Sequence, residues 1–241
     1  MTKPPIAPFL AILCSIASST TFGQIKFAPE IGAQATLQVR KTNAVQNQNS
    51  GLFAPAAFAG VNLDVRVLKN LYLQPGIFYD FKNIKYDSEL VVAGLTGTLE
   101  ATSKYRLHYL RVPVMVLYKS GMEGMGRFLA GAGMYGAYAV GGNLVTKYPT
   151  ATTDGSGNII TKNVRANSSI TFGDDASRNT FRPLDLGLQA LIGYESNVGL
   201  YFKGNLYYGL SNIDVAGSAD YKVKNWGFGI SIGCTLGSDE W

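Results

Sequence analysis

The chain carries one histidine, His108, so any mechanism that needs an imidazole must use it. A base that activates a serine has to lie within hydrogen-bond reach of it. Positions 106 and 110 are Arg106 and Leu110, and Ser103 stands five residues before His108 in a polar stretch. Mechanisms built on several histidines are excluded by the count. Metal chemistry is narrowed in the same way. Of the two cysteines, Cys14 falls in the apolar N-terminal segment and Cys234 is alone, so neither a thiolate cluster nor an intrachain disulfide can form once that segment is removed. The run Asp154-Gly155-Ser156-Gly157-Asn158 lacks the spaced acids and closing glutamate of a calcium loop. No catalytic, cofactor-binding or metal-binding residue is therefore expected.

Charge is the other chemistry available. Glu30, Asp64, Arg66, Asp80, Lys82, Arg111, Asp185 and Lys203 all fall on the polar side of alternating segments, with both signs present. Enclosed charges are costly unless they are paired. Brought together, these eight are expected to form a polar network that locks an interior; a narrow ion path is the competing reading.

The elements that would position them show a period of two. In Ile31–Arg40 the odd residues are apolar and the even ones are glycine or polar. Val61, Leu63, Val65 and Val67 oppose Asn62, Asp64 and Arg66, and Leu71, Leu73, Ile77, Tyr79 and Phe81 oppose Gln74, Gly76, Asp80 and Lys82. The pattern returns over about 105–119, 184–194, 200–210 and 225–236; a stretch near 127–140 is so rich in glycine and alanine that its facing is not readable. Eight strands result. Their connections alternate between long polar segments (about 41–53, 83–104, 141–181 and 212–222) and short ones (about 68–70, 119–126 and 195–197). Long and short connections alternate in this way in transmembrane barrels.

Residues 1–23 read as a signal peptide, with Lys3, the short apolar run Phe9–Ala17 and a small-polar stretch ending at Gly23. The mature domain would be 24–241. Its formal charge falls from +5 to +4 with the loss of Lys3, and no basic block suggests nucleic acid. Charged residues are 15% of the chain, below the roughly 25% of ordinary soluble domains. The polar faces are mostly glycine, serine, asparagine and glutamine rather than the lysine and glutamate of a water-exposed surface. The apolar faces end in aromatics (Tyr79, Phe81, Tyr118, Tyr194, Tyr208, Trp226), as lipid-facing girdles do. The expected fold is an all-β, eight-stranded antiparallel up-and-down barrel in the bacterial outer membrane, small residues inward. His108 and Cys234 share the outward parity, His108 near a rim.

Tyr109-Leu110-Arg111-Val112-Pro113-Val114, Phe128-Leu129-Ala130-Gly131-Ala132-Gly133, Asp185-Leu186-Gly187-Leu188 leading to Gly193-Tyr194-Glu195, and the end Gly227-Phe228-Gly229-Ile230-Ser231-Ile232-Gly233 occur in an order that resembles the PorT-like outer-membrane β-barrel family, over roughly 24–236. The resemblance implies an eight-stranded barrel without a catalytic motif, and the family's named member is associated with type IX protein secretion. The expected function is a non-enzymatic structural or interaction role at the cell surface, with outer-membrane lipid around the barrel and a protein partner met through the long loops. A lipid-modifying barrel enzyme is the alternative.

Overall fold

Alternating residues favour an extended chain with two unlike faces, and closing such a sheet into a ring removes both of its edges. The structure, a computed structural model, describes residues 25–42, 54–91, 98–122, 125–153, 159–173, 175, 181–213 and 221–236. The segment 1–23 lies outside them, as do the tip 154–158 and most of the connections 41–53 and 212–222.

Nine strands are formed: β1 (Ile25–Thr42), β2 (Ala54–Leu68), β3 (Leu71–Val91), β4 (Thr98–Met122), β5 (Gly126–Thr153), β6 (Ile159–Ser169), β7 (Leu184–Glu195), β8 (Leu200–Gly209) and β9 (Tyr221–Cys234). Antiparallel pairing runs β1-β2-β3-β4-β5-β7-β8-β9, and β9 returns to β1, so eight strands close a ring. The barrel is the expected one. β6 is outside the ring and, among the described residues, pairs only with the far half of β5, from Asn143↔Ser169 to Thr153↔Ile159.

Two of the expected long polar connections need correction. The segment 83–104 is almost entirely strand, with β3 and β4 paired to Val91↔Thr98. Much of 141–181 is strand, in β5 and in β6, which pair from Asn143↔Ser169 to Thr153↔Ile159. The outer parts of β3, β4, β5 and β6 make a four-stranded sheet that rises beyond the ring. Pairs such as Lys85↔Lys104, Thr102↔Lys147 and Lys147↔Arg165 tie it together. At the opposite end the hairpins are tight, and two of them use a glycine at positive φ, Gly126 (85°) and Gly199 (83°), where an L side chain is strained.

Facing follows the alternation. In β7 exposed and buried residues alternate from Leu184, and in β8 from Leu200. The stretch 127–140 resolves too: Leu129, Tyr135, Ala137 and Ala139 point inward, and Phe128, Met134, Tyr138 and Val140 outward. On β4 the outward row runs from Tyr118 through Val116, Val114, Val112 and Leu110 to His108. That row is about 33 Å along the strand and about 25 Å high at the usual tilt, which matches the apolar band of a transmembrane barrel.

Inward glycines make room for rings that cross the lumen. A Cβ added to Gly32 would overlap Phe58, one at Gly187 would overlap Tyr135, and one at Gly233 would overlap Tyr201. The small residues of the polar face are thus partners of large ones on neighbouring strands.

Candidate functional site

Seven of the eight charges expected inside are buried in the lumen: Glu30, Asp64, Asp80, Lys82, Arg111, Asp185 and Lys203. Arg66 is the exception. It has the inward parity but sits half-buried near the tight-turn end of β2, and among the described residues it joins none of the four layers of ion pairs below. The residues that follow it, Val67, Leu68 and Lys69, are exposed, so parity alone does not bury a long side chain at this margin.

The charges are arranged in layers along the barrel. Nearest the tight turns, Lys119 Nζ lies 2.7 Å from both Asp64 Oδ2 and Glu195 Oε2, and Gln74 donates to Asp64 Oδ1. One layer on, Glu30 Oε2 accepts from Lys203 Nζ at 2.9 Å, Asn62 Nδ2 at 2.9 Å and the Tyr201 hydroxyl at 3.3 Å. At the centre Arg111 forks onto Asp80, donates through Nη1 to Gln189 Oε1 at 3.0 Å, and packs among the rings of Phe58, Phe78 and Tyr207. Above it Asp185 accepts from Asn225 Nδ2 at 2.7 Å and Ser211 Oγ at 3.2 Å, with Lys82 Nζ 3.7 Å away.

Lys119 and Glu195 were not expected in this network. Both have the inward parity of Arg111 and Asp185, but they lie where the strands pass into turns, a margin at which alternation loses its meaning. The buried tyrosines and amides that finish the coordination were readable as inward, not as partners.

The wide end of the lumen is shut by an apolar cluster. Leu107, Tyr109, Tyr135 and Tyr207 from the wall pack with Ile170, Phe181 and Ile213 from the segments that follow β6 and β8. The voids among the central charges are about 10 Å³ apiece, room for about one water. Such packing holds fixed charges in place.

His108 faces outward at the end of the apolar band. Its Nδ1 is 2.6 Å from the Tyr79 hydroxyl, and its ring packs against Phe81 at 5.2 Å between centroids. A bulge in the β4–β5 pairing falls beside it, between His108↔Gly141 and Tyr109↔Ala139. Cys234 is a free, half-buried thiol at the end of β9. Among the described residues no group of histidines, cysteines and acids is arranged to hold a metal ion.

Several solved outer-membrane proteins are similar to this chain at low identity. Ail, the attachment invasion locus protein of Yersinia pestis, seen with the heparin analogue sucrose octasulfate, is 10% identical over 87% of this chain and 99% of its own, with a TM-score of 0.35. Neisserial surface protein A is 10% identical over 87% and 97%, TM-score 0.39. The outer membrane protease OmpT of Escherichia coli is 8% identical over 88% and 97%, TM-score 0.30. No curated protein matches the sequence. The sequence family described as "Outer membrane protein beta-barrel domain" matches residues 15–215. With that match over most of its length, an eight-stranded ring and an apolar outer band, this chain belongs to the outer membrane β-barrel domain family and resides in the outer membrane.

Proposed function

We propose that the chain is a non-enzymatic barrel of the PorT-like kind, which holds an interaction sheet at the cell surface and meets a protein partner there, as an accessory of a secretion machine would. The observation that carries this reading is the four-stranded sheet continued from β3, β4, β5 and β6 beyond the apolar band. Strands closed into a barrel have no free edge, whereas β6 pairs on one side only among the described residues and so offers backbone groups to another chain. The packed lumen supports an anchoring role over transport. The pairing of His108 with Tyr79, with no serine among its hydrogen-bond partners in the described residues, argues against acyl chemistry.

The experiment is to replace 146–166 with a short turn and identify proteins crosslinked to the native and shortened barrels in whole cells. Loss of a specific neighbour with the barrel still folded is expected. Lipid profiles of a deletion strain and of His108→Gln cells test the enzyme alternative: altered acylation in both would overturn this reading.

A further inference from the structure

The lumen keeps two hydrogen-bond donors that its layered ion pairs do not use. Among the described residues, Gln34 Nε2 and the Tyr207 hydroxyl are left without a hydrogen-bond partner, on side chains only 6% and 8% exposed. Both border the same void of about 10 Å³, beside the fork of Arg111 on Asp80. The room follows from the small residues around the amide. On β1, Gln34 stands between Ala56 of β2 and Gly229 of β9, and neither reaches across the lumen.

Buried donors are rarely left unmade, because each has given up its bonds to water. The cations on this wall do not meet the need. Lys82 and Arg111 only donate, so neither takes a proton from Gln34 or Tyr207. Asn225 is turned to Asp185 at 2.7 Å. Asp80 is the acceptor at hand. Each of its oxygens takes one bond from Arg111, and a carboxylate has about four lone-pair positions, so capacity remains.

The chemistry of the void selects its occupant. An anion would stand against Asp80, and a cation against Arg111 and Lys82. A neutral species must accept from Gln34 and Tyr207 and give a proton to Asp80. Water does both, and it fits a space of this size where about two to four polar groups converge.

We infer that this void is a binding site for one water molecule, which accepts from Gln34 Nε2 and the Tyr207 hydroxyl and donates to the Asp80 carboxylate. The three groups come from β1, β8 and β3, and no two of these strands pair with each other. The water therefore ties the wall together across the lumen, where the strand ladder cannot. It also steadies the carboxylate that holds Arg111. The site is independent of the surface role proposed above.

The test is a crystal structure of the full folded barrel at a resolution that shows bound water. One density peak about 2.5–3.2 Å from all three groups is expected. In solution, the Gln34 side-chain amide should show magnetisation transfer from water with the sign of a long-lived, bound molecule. Tyr207→Phe keeps the ring and removes the hydroxyl, and the peak should be lost. Tyr201→Phe, whose hydroxyl serves the Glu30 layer, should leave it in place. If Tyr207→Phe does not fold, Gln34→Met supplies the same reading. Empty density in the native barrel, direct closure of Gln34 onto Asp80 or Tyr207, a peak that survives Tyr207→Phe unchanged, or an equal loss in Tyr201→Phe would overturn the proposal.

Discussion

Arg111 grips Asp80 with two contacts, Nε to Oδ2 at 2.8 Å and Nη2 to Oδ1 at 3.1 Å, and both side chains are about 1% exposed. This fork sits at the middle of the lumen and joins the wall strands β3 and β4. Removing one member leaves the other charge buried without its partner, at a cost of about 3–5 kcal/mol. Arg111→Met should lose that much in urea unfolding from lipid vesicles. Arg111→Met with Asp80→Leu should be milder than the single change. A single variant within about 1 kcal/mol of the native protein would show that the fork is not enclosed.

The lipid-facing band makes a second prediction. Ile230 is 72% exposed on the outer face of β9, in the run Phe228-Gly229-Ile230-Ser231-Ile232. Arginine there should cost about 2–4 kcal/mol, and at Phe27, beyond the turn-end rim, about 0–1 kcal/mol. Equal costs at the two positions would contradict the assigned band.

Gly32 and Phe58 occupy one space inside the barrel. Gly32→Ala should destabilise by about 1–3 kcal/mol through overpacking. The same change in a Phe58→Leu background should cost less, because the ring is gone and only the Ile230 carbonyl oxygen, 2.7 Å from the new methyl, is left to be accommodated. Unfolding midpoints of the four proteins decide; simple additivity would argue against the contact.

Topology can be read with thiols. In a Cys234→Ala background, Asn163→Cys on β6 should react with an impermeant reagent on intact cells, and Asn197→Cys in the β7–β8 turn should not. The reverse pattern would put the projecting sheet in the periplasm and remove the basis of the proposed surface role.

Outside the glycine- and alanine-rich stretch 127–140, which residues turn inward was legible in the amino-acid order alone, because a strand sends successive side chains to opposite faces and a lipid-facing wall admits few polar groups. Asp185-Leu186-Gly187-Leu188 and Gly227-Phe228-Gly229-Ile230 announce their facing without a structure. So does the buried character of Glu30, Asp80, Arg111 and Lys203. What closure alone decided is which of them meet. Lys119 reaches Asp64 and Glu195 from a strand remote from both in sequence, because the stagger of the ring brings their three levels together. The polar stretches 83–104 and 141–181 suggested loops because polarity reports contact with water; strand pairing continues past the membrane where nothing in composition requires it to end. The bulge at His108 and Tyr109 is the sharpest case. One extra residue on β5 turns Lys147 to the outer face, and no pattern in Gly141-Gly142 shows it, since a glycine belongs equally well to either side.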